Sequence, residues 1–294
     1  MREATIPVDL RNPGQVFACL GLMEAAEILC GPCEGGFTYR GSETNTRFRL
    51  SVPGGEDPVE RVLGFLASAK VKAVAPVGSA LADKDRRIET VTKTDAAFPC
   101  PQPDSPSALP AILVDPDEQY AIPIEHWAEV PRSGRDNVKF WGGAGGYSGA
   151  ALTRDALKLV AGLGANALAA ACADPFNVEA PQSSSFRFDW RRSYVPVEAG
   201  FSPNNHKSSM AMVGYPFVEL LAAIGLQSAR PERLTKLAYR YGVSNATLPT
   251  VFVRAVLGGQ SLGFPVRRFR IQLGWPGKEG QERCILDAKE ETTL

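Results

Sequence analysis

Asn12-Pro13-Gly14-Gln15-Val16-Phe17-Ala18-Cys19-Leu20-Gly21 leads a segment, running to Leu29, in which only Gln15, Glu24 and Glu27 are strongly polar. Asn12 suits a helix N-cap and Pro13 the first helical position. The segment therefore predicts a mostly buried helix with one narrow wet edge. Gly31-Pro32 stops it, and Ala4–Leu10 before it reads as a short strand. Phe37–Arg40 and Thr46–Val52 follow as the two strands of a hairpin. In the second of them Phe48, Leu50 and Val52 alternate with Arg47, Arg49 and Ser51. Asp57-Pro58-Val59-Glu60 then opens a second helix, with an acid at the N-cap, proline at the first position and Val59, Val62, Leu63 and Leu66 on the inward side. Val71–Ala75 is a further strand.

Strand, helix, two strands, helix, strand is the βαββαβ order of a ferredoxin-like, or RRM-like, unit, here over residues 1–76. RNA-binding members of that fold stack bases on sheet aromatics. Phe37, Tyr39 and Phe48 are the rings on offer, either for that use or for burial against a second layer. Residues 77–118 hold Pro99, Pro101, Pro103, Pro106 and Pro110, and read as an extended loop or lid that also carries Lys84, Arg86 and Arg87. Residues 119–294 predict a larger mixed part with antiparallel strands. It contains a strand at Tyr120–Ile124, a helix from about Leu152 to Leu163 and a buried helix from Tyr215-Pro216-Phe217 to about Leu226. Long strands are expected at Leu248–Leu257 and Phe264–Trp275, with Cys284–Ala288 closing the sheet. The fold class is α+β.

Net charge is zero, but residues 1–186 hold 17 Lys and Arg against 23 Asp and Glu, while residues 187–283 hold 14 against 6. A basic half beside an acidic half suits a face that meets a polyanion, and equally suits two halves that attract each other. The amino terminus lacks the apolar run of a secretory signal, and no stretch reaches the roughly 18 uninterrupted apolar residues of a membrane span. A cytoplasmic location, with the six cysteines reduced and no membrane partner, is expected. Cys30-Gly31-Pro32-Cys33 has C-x-x-C spacing, yet it follows the end of a helix. A redox pair sits at a helix start, so this one reads as a helix-ending turn.

Ser183-Ser184-Ser185-Phe186-Arg187-Phe188-Asp189-Trp190-Arg191-Arg192 is the most distinctive run. As an extended strand it would place Phe186, Phe188 and Trp190 on one face and Arg187, Asp189 and Arg191 on the other. Guanidinium groups so presented fit phosphates, and a solvated edge strand is the competing use. On the strand predicted at Phe264–Trp275, Arg268 and Arg270 fall on the wet face. Lys139 precedes Gly142, Gly143, Gly145 and Gly146, a glycine-rich loop before a helix, which offers backbone N–H groups to phosphate. It matches neither nucleotide-binding fingerprint. Asn204, His206 and Lys207 form a polar loop, where His206 would be the one candidate base of a metal-independent RNA endonuclease. With two histidines and no hydrolase or metal motif, the chain reads as non-catalytic, without a cofactor or a metal.

Asn12–Gly21, then Asp136-Asn137-Val138-Lys139-Phe140-Trp141-Gly142-Gly143, then Ser184–Arg191, in that order, resemble the roughly 300-residue CRISPR-associated protein of the type I-U (I-G) systems, a reduced large subunit of the Cascade effector. The resemblance implies a non-catalytic subunit of a crRNA-guided surveillance complex, with crRNA, target DNA, the other Cascade subunits and the helicase-nuclease as partners. Such a subunit assists PAM recognition, R-loop stabilisation and helicase-nuclease recruitment. Arg187, Arg191, Arg192, Arg268 and Arg270 would then hold phosphates, with Trp190, Asn204, His206 and Lys207 as further nucleic-acid contacts and Lys139 and the glycine loop close to a backbone. A repeated, backbone-type RNA-binding subunit, a crRNA-processing endonuclease and an unrelated scaffold stay open as alternatives.

Overall fold

The computed structural model describes residues 1–40, 42–81, 88–93, 109–127, 148–182, 184–191, 212–275 and 284–291. It is a mixed α+β fold, as the sequence pattern predicts. The elements in order are β1 (Arg2–Pro7), α1 (Pro13–Cys30), β2 (Glu34–Arg40), β3 (Ser42–Val52), α2 (Pro58–Ser68) and β4 (Lys70–Pro76). Next come β5 (Thr90–Lys93), β6 (Ala111–Val114), β7 (Ala121–Ile124), α3 (Gly149–Ala161), α4 (Ala165–Ala171), β8 (Ala180–Pro181) and β9 (Val213–Gly214). The chain continues with α5 (Pro216–Ser228), β10 (Glu232–Thr235), β11 (Ala238–Val243), β12 (Leu248–Pro249), α6 (Thr250–Leu257), β13 (Arg267–Gly274) and β14 (Cys284–Glu290). Among the described residues they form three four-stranded sheets, ordered β1-β3-β2-β12, β5-β4-β6-β7 and β10-β11-β13-β14, and the short pair β8-β9.

The first unit forms for the reasons its sequence gives. The Asn12 side chain accepts from the Gln15 N–H, and Pro13 occupies the first turn of α1. The Gln15 side chain in turn accepts from the Asp9 N–H at 2.7 Å. Asp57 caps α2 by accepting from the Val59 and Glu60 N–H groups. Gly31, at φ 94°, ends α1 in a conformation that costs only glycine nothing. The C-x-x-C pair is therefore a helix-ending turn. The Cys33 thiol is buried against the Met23 carbonyl and the Thr250 hydroxyl. Burial pushes its pKa up to about 11. At pH 8 it stays a thiol, and native protein treated with iodoacetamide is expected to leave Cys33 unlabelled until denaturant is added.

β4 departs from the ferredoxin-like scheme. In that scheme it would lie beside β1; here it pairs parallel with β5 and antiparallel with β6. Ala73, Val74 and Ala75 are buried in succession, the continuous apolar run of a strand covered on both faces. A strand of that kind belongs in the middle of a sheet, and β4 takes such a place. The free side of β2 is filled instead by β12. Residues 77–118, expected as an extended loop or lid, contribute the strands β5 and β6. Of the two uses open to the sheet rings, the structure shows internal packing. Phe37 and Phe48 are buried and pack on each other at 5.1 Å, and the Arg267 guanidinium lies over the Tyr39 ring at 4.6 Å.

Leu248–Leu257, expected as a strand, is a two-residue strand followed by the helix α6. Val253, Val256 and Leu257 are buried while Val251 and Phe252 are exposed, a helical spacing. The Arg254 guanidinium bridges both oxygens of Glu24 on α1 at 2.6 Å each. Helix α1 is long and apolar enough to cross a membrane, but 83% of that window is buried inside the protein, so it serves as the core helix. Its main neighbour is α5. A Cβ on Gly21 would strike the Leu221 carbonyl oxygen, and a Cβ on Gly225 the Phe17 carbonyl oxygen. The two glycines let the helix backbones touch.

Candidate nucleic-acid interface

The segment 184–191 is not a strand. It is an irregular turn with Arg187 at φ 61°, organised around a buried acid. Glu219, the one charged residue of α5, is 2% exposed. Its carboxylate accepts from the Ser185 hydroxyl, the Arg187 N–H and the Phe188 N–H, each at 2.9 Å. The backbone bends around that carboxylate, so side-chain direction no longer alternates. Phe186 and Phe188 are both buried and stack at 5.1 Å and 3°. Trp127 stacks on Phe186 at 5.8 Å, and His126 meets the Trp127 ring edge-on. Trp190 leaves this group and is 49% exposed.

Asp189 is buried as well. It accepts from the Asn12 side chain at 2.8 Å and from the Arg191 guanidinium at 2.8 to 3.3 Å. A Cβ on Gly14 would collide with the Phe188–Asp189 backbone. Two of the three stretches that carry the family resemblance, Asn12–Gly21 and Ser184–Arg191, thus meet in space. Lys139, Gly142, Gly143, Gly145 and Gly146, in or just beyond the third, lie outside the described residues. So do Arg192, Asn204, His206 and Lys207, and the loop cations Lys84, Arg86 and Arg87.

Arg191 is used inside the fold. Besides Asp189 it donates to the Phe176 carbonyl at 2.5 Å and to the Asn177 side chain at 3.2 Å. Its guanidinium lies 3.8 Å over the Tyr215 ring. Arg191 thus has a structural use, its fork shared among Asp189, Phe176 and Asn177. Arg191→Lys keeps the charge but not the planar fork, and is expected to cost about 1–3 kcal/mol in urea denaturation. Nucleic-acid affinity of the folded variant is expected to stay unchanged. Arg187 is half-buried, with its own N–H turned toward Glu219.

Arg268 and Arg270 fall as expected. Along β13 they are exposed while Phe269, Ile271 and Leu273 are buried. Register places Arg270 between Arg240 of β11 and Lys289 of β14. Three cations abreast repel one another unless countercharged. Arg240 is held by Glu232 and Glu291, and Lys289 by Asp287. Arg267, on the other face, donates twice to Glu290, which holds that carboxyl below the usual range. Arg268 and Arg270 have no carboxylate partner among the described residues. Gly242 lies opposite Arg268, and Ala238 and Asp287 flank Gln272, so the residues paired on this face bring no aromatic ring. The face can hold phosphates without stacking bases.

Comparison with protein-family models, with curated proteins and with solved structures finds no match. The charge map therefore rests on the geometry of this chain alone. A cleft of about 990 Å³ between α2, the β6–β7 turn and α4 is lined by Glu56, Asp57, Glu60, Asp115 and Asp117 against Arg2 and Arg61. Its sign is wrong for a polyanion. Sequence reading missed Glu219 and Arg240. A lone acid in the apolar run Pro216–Ser228 was the signal for Glu219, because an unneeded charge is rarely kept in a buried helix.

Proposed function

We propose that this chain is a non-catalytic subunit of a crRNA-guided type I CRISPR surveillance complex in the cytoplasm. In it the outer face of the β10-β11-β13-β14 sheet holds a sugar-phosphate backbone of guide RNA or target DNA. The observation that carries the binding half is the exposed pair Arg268 and Arg270 on β13, which has no carboxylate partner among the described residues. Alternate residues of a strand stand roughly 6.6–6.8 Å apart, so the pair can engage neighbouring phosphates of one strand. With no ring among the described residues paired on the face, such contacts position a backbone and leave sequence to base pairing, the division of labour in guide-RNA complexes. The complex half rests on the family resemblance, whose first and last stretches pack together as one unit. Other Cascade subunits, with the helicase-nuclease, are the protein partners on this reading.

The test is isolation of the tagged protein from its own cells, with sequencing of bound nucleic acid and native mass spectrometry. One copy per complex on RNA of uniform length ending in repeat sequence is expected. Several copies per RNA would assign the chain to the repeated backbone instead. Protein that emerges alone, free of nucleic acid, would contradict the proposal.

A further inference from the structure

We infer that Arg240 is a third phosphate-binding residue of the same sheet face, and that Glu291 occupies its fork until a phosphate displaces it. The inference rests on the reading of that face given above. Arg240 donates through Nε and Nη2 to the two oxygens of Glu291, at 2.5 and 3.1 Å. That is the bidentate geometry by which the same fork takes a phosphate, so the carboxylate stands where a phosphate would sit. Arg240 lies directly across from Arg270 in the strand register, one strand spacing away. A backbone resting on Arg268 and Arg270 therefore passes within reach of Arg240.

The pair is built to exchange. Both side chains are 26% exposed, so no buried charge is stranded when they part. Glu291 directly follows β14, tied by its N–H to the Arg268 carbonyl at 2.8 Å. Its carboxylate can swing away while its backbone stays in register. Glu232 keeps its contact with the remaining Nη1 at 3.1 Å, so Arg240 stays aimed along the face. Without Glu291, the row Arg240, Arg270 and Lys289 presents more positive charge to an incoming strand.

The experiment uses full-length protein and a fluorescein-labelled single-stranded RNA of about 20 nucleotides. Glu291→Gln keeps the shape and removes the charge. It is expected to raise affinity about two- to fivefold, the range spanned by an exposed ion pair. Adding Arg240→Ala should abolish the gain and make the salt slope shallower by about 0.7, one single-strand phosphate contact. A gain that survives Arg240→Ala would overturn the inference, since it would then be a general charge effect. No gain from Glu291→Gln, while Arg268→Ala with Arg270→Ala still weakens binding, would overturn the inference and leave the reading of the face standing. Loss of effect in every variant would remove the reading itself. Thermal melts of each variant confirm folding before binding is measured.

Discussion

Glu219→Ala is expected to lower the unfolding free energy by about 3–5 kcal/mol, read as a drop in the urea midpoint at unchanged slope. The buried carboxylate satisfies the Ser185 hydroxyl and the Phe188 N–H, and shares the Arg187 N–H with the Ser185 oxygen. Each buried donor left unpaired costs about 1–3 kcal/mol, and Glu219 is only 2% exposed. The left-handed Arg187 adds to the effect, because a non-glycine residue at φ 61° persists only where its surroundings hold it there. Glu219→Gln keeps one acceptor oxygen and is expected to lose about half as much. A change within about 0.5 kcal/mol for the alanine variant would show that the turn does not depend on this acid.

Gly21→Ala is expected to destabilise by about 3 kcal/mol, the upper part of the range for overpacking. Most overpacked sites relax by moving a side chain. Here the obstacle is backbone on both helices, the Leu221 carbonyl facing Gly21 and the Phe17 carbonyl facing Gly225. Relief requires the whole α1–α5 contact to open, and the buried Phe17, Leu20, Leu221 and Ile224 around it would lose their packing. Gly64→Ala on α2 is the control. A Cβ there meets nothing within 4 Å, so the helix should be neutral or gain about 0.5–1 kcal/mol. Equal melting curves for the two variants would contradict the close crossing.

How far the sequence revealed this fold depended on whether local signals agreed with tertiary ones. Helix α1 was legible because its caps, apolar run and glycine stop all point the same way. Strand β13 was legible because Arg268 and Arg270 alternate with Phe269 and Ile271, a period that only a half-buried strand explains. Helix α6 was not, since Val251, Phe252, Val253 and Val256 favour a strand by propensity. Packing against α1 and the Glu24–Arg254 pair override that preference. The Ser184–Arg191 run misled in a more instructive way. Its alternation of rings and arginines is real, but Glu219, some 30 residues on, takes its backbone N–H groups and bends it out of strand geometry. No local pattern carries that information.

The candidate site followed the same logic. Charge asymmetry between the halves was visible, yet arginine positions alone could not separate engaged side chains from free ones. Arg191 finds its acid within the basic half, Arg240 and Arg267 pair with Glu291 and Glu290 just beyond it, and Arg254 reaches the acidic front half through Glu24. Only after those pairs are counted does the face of β13 stand out. Arg268 and Arg270 carry the central claim, which the salt dependence of RNA binding tests most directly. Arg268→Ala with Arg270→Ala is expected to make the slope of log K against log salt shallower by about 1.4, two single-strand phosphate contacts. An unchanged slope, in a variant that melts like the parent protein, would show that this face touches no phosphate.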